Sequence, residues 1–332
     1  MKLEEAIKEY AIAVPTDEEF YSMEYQEYFK NSKKNGKFEK YRNFQEMYTK
    51  SFYATFYTQD CENGGKKLSI RDSEAVVLGG QAGAGKSSLS HVAKKEFHDK
   101  GKEIFVIDDD MYRLFYPRAE EILDKCPEFF TPITAIGSGT VTPKILKYAS
   151  DNHLNFIFDG TMKNDRIINT SKGWDGYLIN WKIMATPKIE SLLSIFERNE
   201  GLRQLGQGRM ISVDVHDSIY DGIDPTIAKL ESIPKIGHIQ VYSRGKDCFN
   251  PILHYDSKQK GMYSNAVSAL RKVRKEEARN YKESDIMERI KKLKNTNIAL
   301  NEAELEKLQE LEVAVQEELR KILQEKDLEE ER

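Results

Sequence analysis

The chain has 332 residues, with 51 Lys and Arg against 55 Asp and Glu, for a formal net charge of −4. A charge this small for the length argues against a general nucleic-acid binder. No stretch approaches the ~20 apolar residues that span a bilayer. The length predicts roughly one to three domains. Cys61, Cys126 and Cys248 are widely separated and form no C-x-x-C pair. Met1-Lys2-Leu3-Glu4-Glu5 carries acid where a signal peptide would be apolar. Together these features predict a reducing, cytoplasmic setting.

In chain order, residues 1–70 read as a helical, aromatic-rich extension. Phe44, Tyr48 and Phe52 fall four apart and share one helical face. Such a face either packs on the next domain or binds a partner. Asn31 to Lys37 breaks the extension in two, and Cys61 to Lys67 reads as a linker.

Residues 71–260 read as a phosphate-binding core. Ala75-Val76-Val77-Leu78 suits a buried parallel strand, and Ser88 to Lys100 has helical patterning. Between them stands Gly80-Gln81-Ala82-Gly83-Ala84-Gly85-Lys86-Ser87, a complete G-x-x-x-x-G-K-[ST] loop followed by Ser88. Backbone N–H groups in such a loop, with the helix N-terminus behind them, favour anionic phosphate. This predicts ATP as ligand, with Lys86 on the β- and γ-phosphates and Ser87 as a ligand for Mg²⁺. Further strands are predicted at Ile104–Ile107, Phe156–Phe158, Tyr177–Met184 and His238–Tyr242. Their alternation with helical stretches predicts an α/β fold, a P-loop NTPase-type parallel sheet flanked by helices. Ligands then gather at the C-terminal strand ends.

Two of these ends carry acids. Val106-Ile107 runs into Asp108-Asp109-Asp110, where one carboxylate can take a proton from an attacking hydroxyl. Such a cluster also serves as a helix N-cap; Asp109 fits that role, and Asp110 fits the base. Phe156-Ile157-Phe158 ends in Asp159-Gly160-Thr161, which suits either the same crevice or an ordinary turn. Arg198 and Arg209 are candidates to stabilise a transferring phosphoryl group, although spacing does not bring them together.

The tail, residues 261–332, reads as a charged helical extension. Leu308, Val315 and Ile322 repeat every seven residues; Ile298, Leu305 and Leu319 lie on the neighbouring seam, which Glu312 interrupts. Such a stripe forms a coiled coil or a helical hairpin folded on the core.

With these residues in view, Ala75 to Ser257 resembles the zeta toxin family of bacterial toxin–antitoxin kinases. Val106-Ile107-Asp108-Asp109-Asp110-Met111-Tyr112-Arg113 is similar to the family's I-D-x-D-[ST]-[FY]-[RK], and Asp159-Gly160-Thr161 to its E-G-T. Arg198-Asn199-Glu200, Gly208-Arg209 through His216-Asp217, and Val241 to Arg244 are similar to later segments. The resemblance implies transfer of the ATP γ-phosphate to the 3′-hydroxyl of the amino sugar in UDP-N-acetylglucosamine. It implies Asp110 as base, Lys86, Arg198 and Arg209 around the phosphoryl group, and Asp159 and Thr161 at the acceptor. It further implies a partner, either a separate antitoxin or a flank acting in cis. The acceptor side departs from the family pattern. Asp159 replaces a glutamate, Lys163 an arginine and Tyr116 a histidine, while a gapless count puts Pro143 at the acceptor-site glutamate. These departures leave another acceptor, such as NAD, as an alternative. A regulatory P-loop NTPase that recruits a partner through its flanks is the reading from a different class.

Overall fold

The computed structural model describes residues 2–30, 36–57, 72–203, 211–245, 250–259, 261–295 and 302–330. The run around Ala75–Leu78 forms β1 (Glu74–Gly79), with every residue buried. Burial on both faces is what a central parallel strand requires, and apolar side chains on both faces supply it. β2 (Phe105–Asp108), β3 (Phe156–Asp159), β4 (Leu178–Met184) and β5 (His238–Ser243) complete the parallel part. The order is β2-β3-β1-β4-β5-β6, so β1 lies between β3 and β4, parallel to both.

β6 (Ile252–Asp256) runs antiparallel to β5 and was not expected from the sequence. Its residues are exposed or half-buried, with Ile252 and Leu253 facing solvent. An edge strand needs no continuous apolar run, so its pattern is weak. The sheet is therefore mixed rather than wholly parallel.

Four helices precede the sheet: α1 (Leu3–Tyr10), α2 (Asp17–Tyr21), α3 (Met23–Lys30) and α4 (Arg42–Phe56). A Thr16–Glu19 capping box starts α2. The core helices are α5 (Lys86–Asp99), α6 (Asp109–Arg113), α7 (Ala119–Lys125), α8 (Phe130–Asp151), α9 (Arg166–Ser171), α10 (Lys188–Arg203) and α11 (Val213–Glu231). Three more follow the sheet: α12 (Ala266–Ala278), α13 (Glu283–Lys294) and α14 (Glu302–Glu330).

The aromatic stripe of α4 packs inward. Phe44 and Phe56 are buried; the Phe56 ring meets Phe105 of β2 at 5.3 Å, and Phe52 meets Tyr148 of α8 at 4.7 Å. β2 is an edge strand, and covering it prevents pairing with another chain. Behind it, the Thr55 hydroxyl donates to the Ser51 carbonyl, so Tyr112 of α6 donates its phenol to Thr55 at 2.7 Å. Thr55→Val leaves that buried phenol without an acceptor. We expect a loss of about 1–2 kcal/mol in urea unfolding, and an unchanged midpoint would refute the contact.

In the tail, Leu308, Leu311, Val315, Leu319 and Ile322 of α14 are buried with Ile189, Leu192, Leu193 and Phe196 of α10 and with Ile286 and Ile290 of α13. The seven-residue stripe is thus covered within the chain, as a hairpin folded on the core. Glu312, which breaks the seam, pairs with Lys294 at 2.6 Å, and Leu305 is exposed. Ile298, the Cys61–Lys67 linker, Cys61 and Cys248 lie outside the described residues. Cys126 is a buried free thiol. No described helix is long and apolar enough to cross a membrane.

Candidate active site

β1 delivers the chain into the phosphate loop at its C-terminal end. Gly83 has φ +72°, and a Cβ there would collide with the Ser191 carbonyl oxygen. Gly85, at φ 91°, is the N-cap of α5, so Lys86 opens the helix. Both positions need the left-handed backbone that glycine adopts without strain. The Gly80 N–H donates to the Thr161 carbonyl at 3.2 Å, tying the loop to the turn after β3. The Ser88 hydroxyl donates to the Gly85 carbonyl at 2.7 Å and is committed to the turn. The Ser87 side chain is exposed at the first turn of α5.

Asp108 and Asp159 are register partners at the ends of β2 and β3. Lys86 Nζ lies 4.0 Å from Asp159 and is only 16% exposed. Burial pushes the Asp159 carboxyl up, Lys86 and Arg198 oppose this, and Asp110 adds to it. Burial, Asp159 and Asp110 push Asp108 up to about 6. Lys86, Asp110 and Arg198 therefore all act on one carboxylate at the strand ends. Arg198 stands exposed on α10, and Arg209 lies outside the described residues.

The three consecutive aspartates divide their roles. Asp108 caps α6, accepting the Asp110 N–H at 2.9 Å. Capping thus belongs to Asp108, and the expectation for Asp109 is corrected. Asp109 turns toward α8, where it accepts from Thr142 at 2.9 Å, Ser138 at 3.2 Å and Arg113 at 2.6 Å. It clamps α6 onto α8. The Asp110 side chain is 50% exposed, with Arg113 Nε 3.3 Å away. Thr161 Oγ1 accepts the Lys163 N–H at 3.3 Å, and the Lys163 side chain is exposed. Pro143 is exposed on α8, and buried Tyr116 donates to the Tyr10 carbonyl at 2.8 Å.

The Ser87 hydroxyl and the nearby carboxylates are oxygen donors, the chemistry Mg²⁺ prefers. Ser87 could serve as the protein's own ligand to such an ion.

Side chains distant in sequence hold the loop from behind. Gln81 donates to the Thr186 carbonyl at 2.9 Å and to Ser191 at 3.0 Å, and accepts from Arg274 at 3.2 Å. Its side chain serves the scaffold. Ser191 meets His216 at 2.8 Å, and His216 meets Asp217 at 2.9 Å. This Ser–His–Asp order resembles a hydrolytic triad, but Ser191 and His216 are fully buried, so no substrate reaches them. Ala82 packs against the tail cluster. A cleft of about 460 Å³ between α10, α11, α12 and α14 is lined by Tyr220, Asp224, Arg271 and Arg274. Lys86, Asp110 and Asp159 do not line it, so this hollow and the phosphate-facing groups mark different places.

The family model of the zeta toxin matches residues 64–284, two thirds of the chain. The chain belongs to the zeta toxin family. Toxin PezT of Streptococcus pneumoniae is 28% identical over 198 residues, which cover 58% of this chain and 75% of that protein. Toxin zeta of Enterococcus hirae is 27% identical over 205 residues, covering 59% and 70%. A solved chain from the PezAT toxin–antitoxin system of S. pneumoniae aligns with a TM-score of 0.57 at 22% identity, over 85% of this chain and 96% of its own. A chain of the AvrRxo1-ORF1:-ORF2 complex aligns with a TM-score of 0.50 at 13% identity, covering 92% and 93%. These structures share the P-loop kinase-type fold with this zeta toxin family member. Its α14 and nearly all of α13 lie beyond the family match.

Proposed function

We propose that this zeta toxin family member is an ATP-dependent kinase that phosphorylates a hydroxyl of UDP-N-acetylglucosamine or a related nucleotide. The observation that carries this reading is Lys86 Nζ 4.0 Å from Asp159, beside the phosphate loop, with Asp110 and Arg198 near enough to act electrostatically on the same carboxylate.

Loop N–H groups, those of Gly85, Lys86 and Ser87 among them, hold the triphosphate, and the Lys86 side chain takes the β- and γ-phosphates. Ser87 would hold Mg²⁺, which would supply neutralisation of phosphate charge when bound. Asp159, Thr161 and Lys163 orient the acceptor. Its hydroxyl oxygen bonds to the γ-phosphorus as the bond to the ADP oxygen breaks, and the hydroxyl proton passes to Asp110. Arg198 and Arg209 stabilise the charge on the phosphoryl oxygens. Positioning and fixed charge supply most of the acceleration in such a transfer. The proposed substrates, ATP and a nucleotide sugar, support a cytoplasmic setting for this activity.

The PezAT system pairs its toxin with an antitoxin, and we extend a separate antitoxin partner to this chain. The described flanks favour that over inhibition in cis. α4 packs on β2 and α8, α14 packs on α10, and Asp110 stays half exposed.

The test is mass spectrometry of a nucleotide and metabolite mixture incubated with the protein, ATP and Mg²⁺. The expected product is UDP-N-acetylglucosamine carrying one added phosphoryl group. Phosphorylated NAD instead would move the acceptor while keeping the kinase. ATP hydrolysis without any phosphorylated acceptor would favour the regulatory NTPase.

A further inference from the structure

We infer that Arg289, on α13 of the C-terminal hairpin, is a positioning residue for the phosphate loop and acts through Glu190 and Arg244. The inference rests on the reading of that loop as an ATP site.

The chain of contacts is continuous. Arg244 donates from Nε to the Ala84 carbonyl at 3.1 Å and from Nη2 to the Gly83 carbonyl. Its Nη1 donates to Glu190 at 2.7 Å and to Ser194 at 3.0 Å. Glu190, largely buried, also accepts from Arg289 Nη1 at 2.6 Å and Nη2 at 3.2 Å. Arg289 is steadied in turn by Glu197, at 2.7 and 2.8 Å.

Each link has a physical role. Glycines at 80, 83 and 85, all at positive φ, give the loop wide conformational freedom. Its shape must therefore be imposed by what grips it. Arg244 holds two loop carbonyls outward, which leaves the loop N–H groups turned toward phosphate. A guanidinium is planar, and one carboxylate fixes its orientation through Nη1. That carboxylate is itself buried, and burial alone would favour its neutral form. Arg289 and Arg244 together outweigh the burial and hold Glu190 below its ordinary range. Arg289 thus keeps Glu190 charged and in place, and Glu190 keeps Arg244 aimed at the loop. Residue 289 lies beyond the family match, whereas Glu190 and Arg244 lie within it.

The test uses Arg289→Met, which keeps the aliphatic stem, and Glu190→Gln, which keeps the shape. Hydrogen exchange of the full-length protein without nucleotide reads the brace directly. The amides of Ala84 and Ser88, hydrogen-bonded to the Gln81 and Gly85 carbonyls, should exchange about ten-fold faster in either variant, while the core strands stay protected. Calorimetric titration with a non-hydrolysable ATP analogue and Mg²⁺ should show about ten-fold weaker binding. Combining the two substitutions should add little to either one, because both act through one path. Arg289→Lys should recover part of the affinity. Unchanged loop exchange in folded Arg289→Met would overturn the inference, and Glu190→Gln repeats the test should that variant not fold. Absence of ATP binding in the unaltered protein would instead overturn the function reading, with the exchange result still deciding the brace.

Discussion

Asp110→Asn lowers turnover about 1,000-fold, within the range for losing a general base, and leaves ATP affinity within about two-fold. Asparagine keeps the size of the side chain and removes its capacity to take a proton. The surroundings remain, since Asp108 still accepts the backbone N–H of residue 110. Arg113 stays anchored by Asp109 and the Thr131 carbonyl. Steady-state kinetics with saturating ATP separate chemistry from binding. A large fall in kcat with little change in nucleotide Kd is the expected split. Near-normal kcat would remove Asp110 as the base, while weakened ATP binding would give it a place on the phosphate side.

Asp108→Asn stabilises the nucleotide-free protein above pH 6. The Asp108 carboxyl, ordinarily near 3.8, is pushed up to about 6 in the fold by burial, Asp159 and Asp110. The folded state therefore holds this proton more tightly than the unfolded chain. Its stabilising effect is complete below the unfolded pKa and is lost as pH rises through the folded one, between about 4 and 6. The full effect is about 3 kcal/mol at most, at ~1.4 kcal/mol per pKa unit. Asparagine carries no charge, so the loss disappears, and it remains a good N-cap for α6. Urea midpoints from pH 4 to 8 should diverge, with the parent falling more steeply than the variant, in which the raised Asp159 carboxyl still titrates. Parallel curves would show that the charge at Asp108 costs nothing. A costly carboxylate retained at a strand end fits a site in which function outweighs stability.

Much of the site was legible because its signals are local. The loop glycines, Lys86 and Ser87 are set by neighbours within a few residues, and an apolar strand before them with a helix after them leaves little choice of geometry. Strand ends carrying Asp108–Asp110 and Asp159 were legible for the same reason. The division of labour among three adjacent aspartates was not. Each can cap a helix, and only the position of α8, with Ser138 and Thr142, draws Asp109 away and leaves the cap to Asp108.

β6 escaped because an edge strand has little apolar demand, and its pairing with β5 is a tertiary event. The heptad stripe in the tail states that α14 has a face to bury, but not against what. Leu308 to Ile322 would suit a second copy as well as α10, and the fold supplies α10. Local composition thus determined a phosphate loop between a strand and a helix, the acids at neighbouring strand ends and two helical flanks. Only the tertiary structure decided what grips that loop. Arg244 is 161 residues from Gly83 and Arg274 is 193 from Gln81, and such partners meet through packing that no short-range pattern encodes.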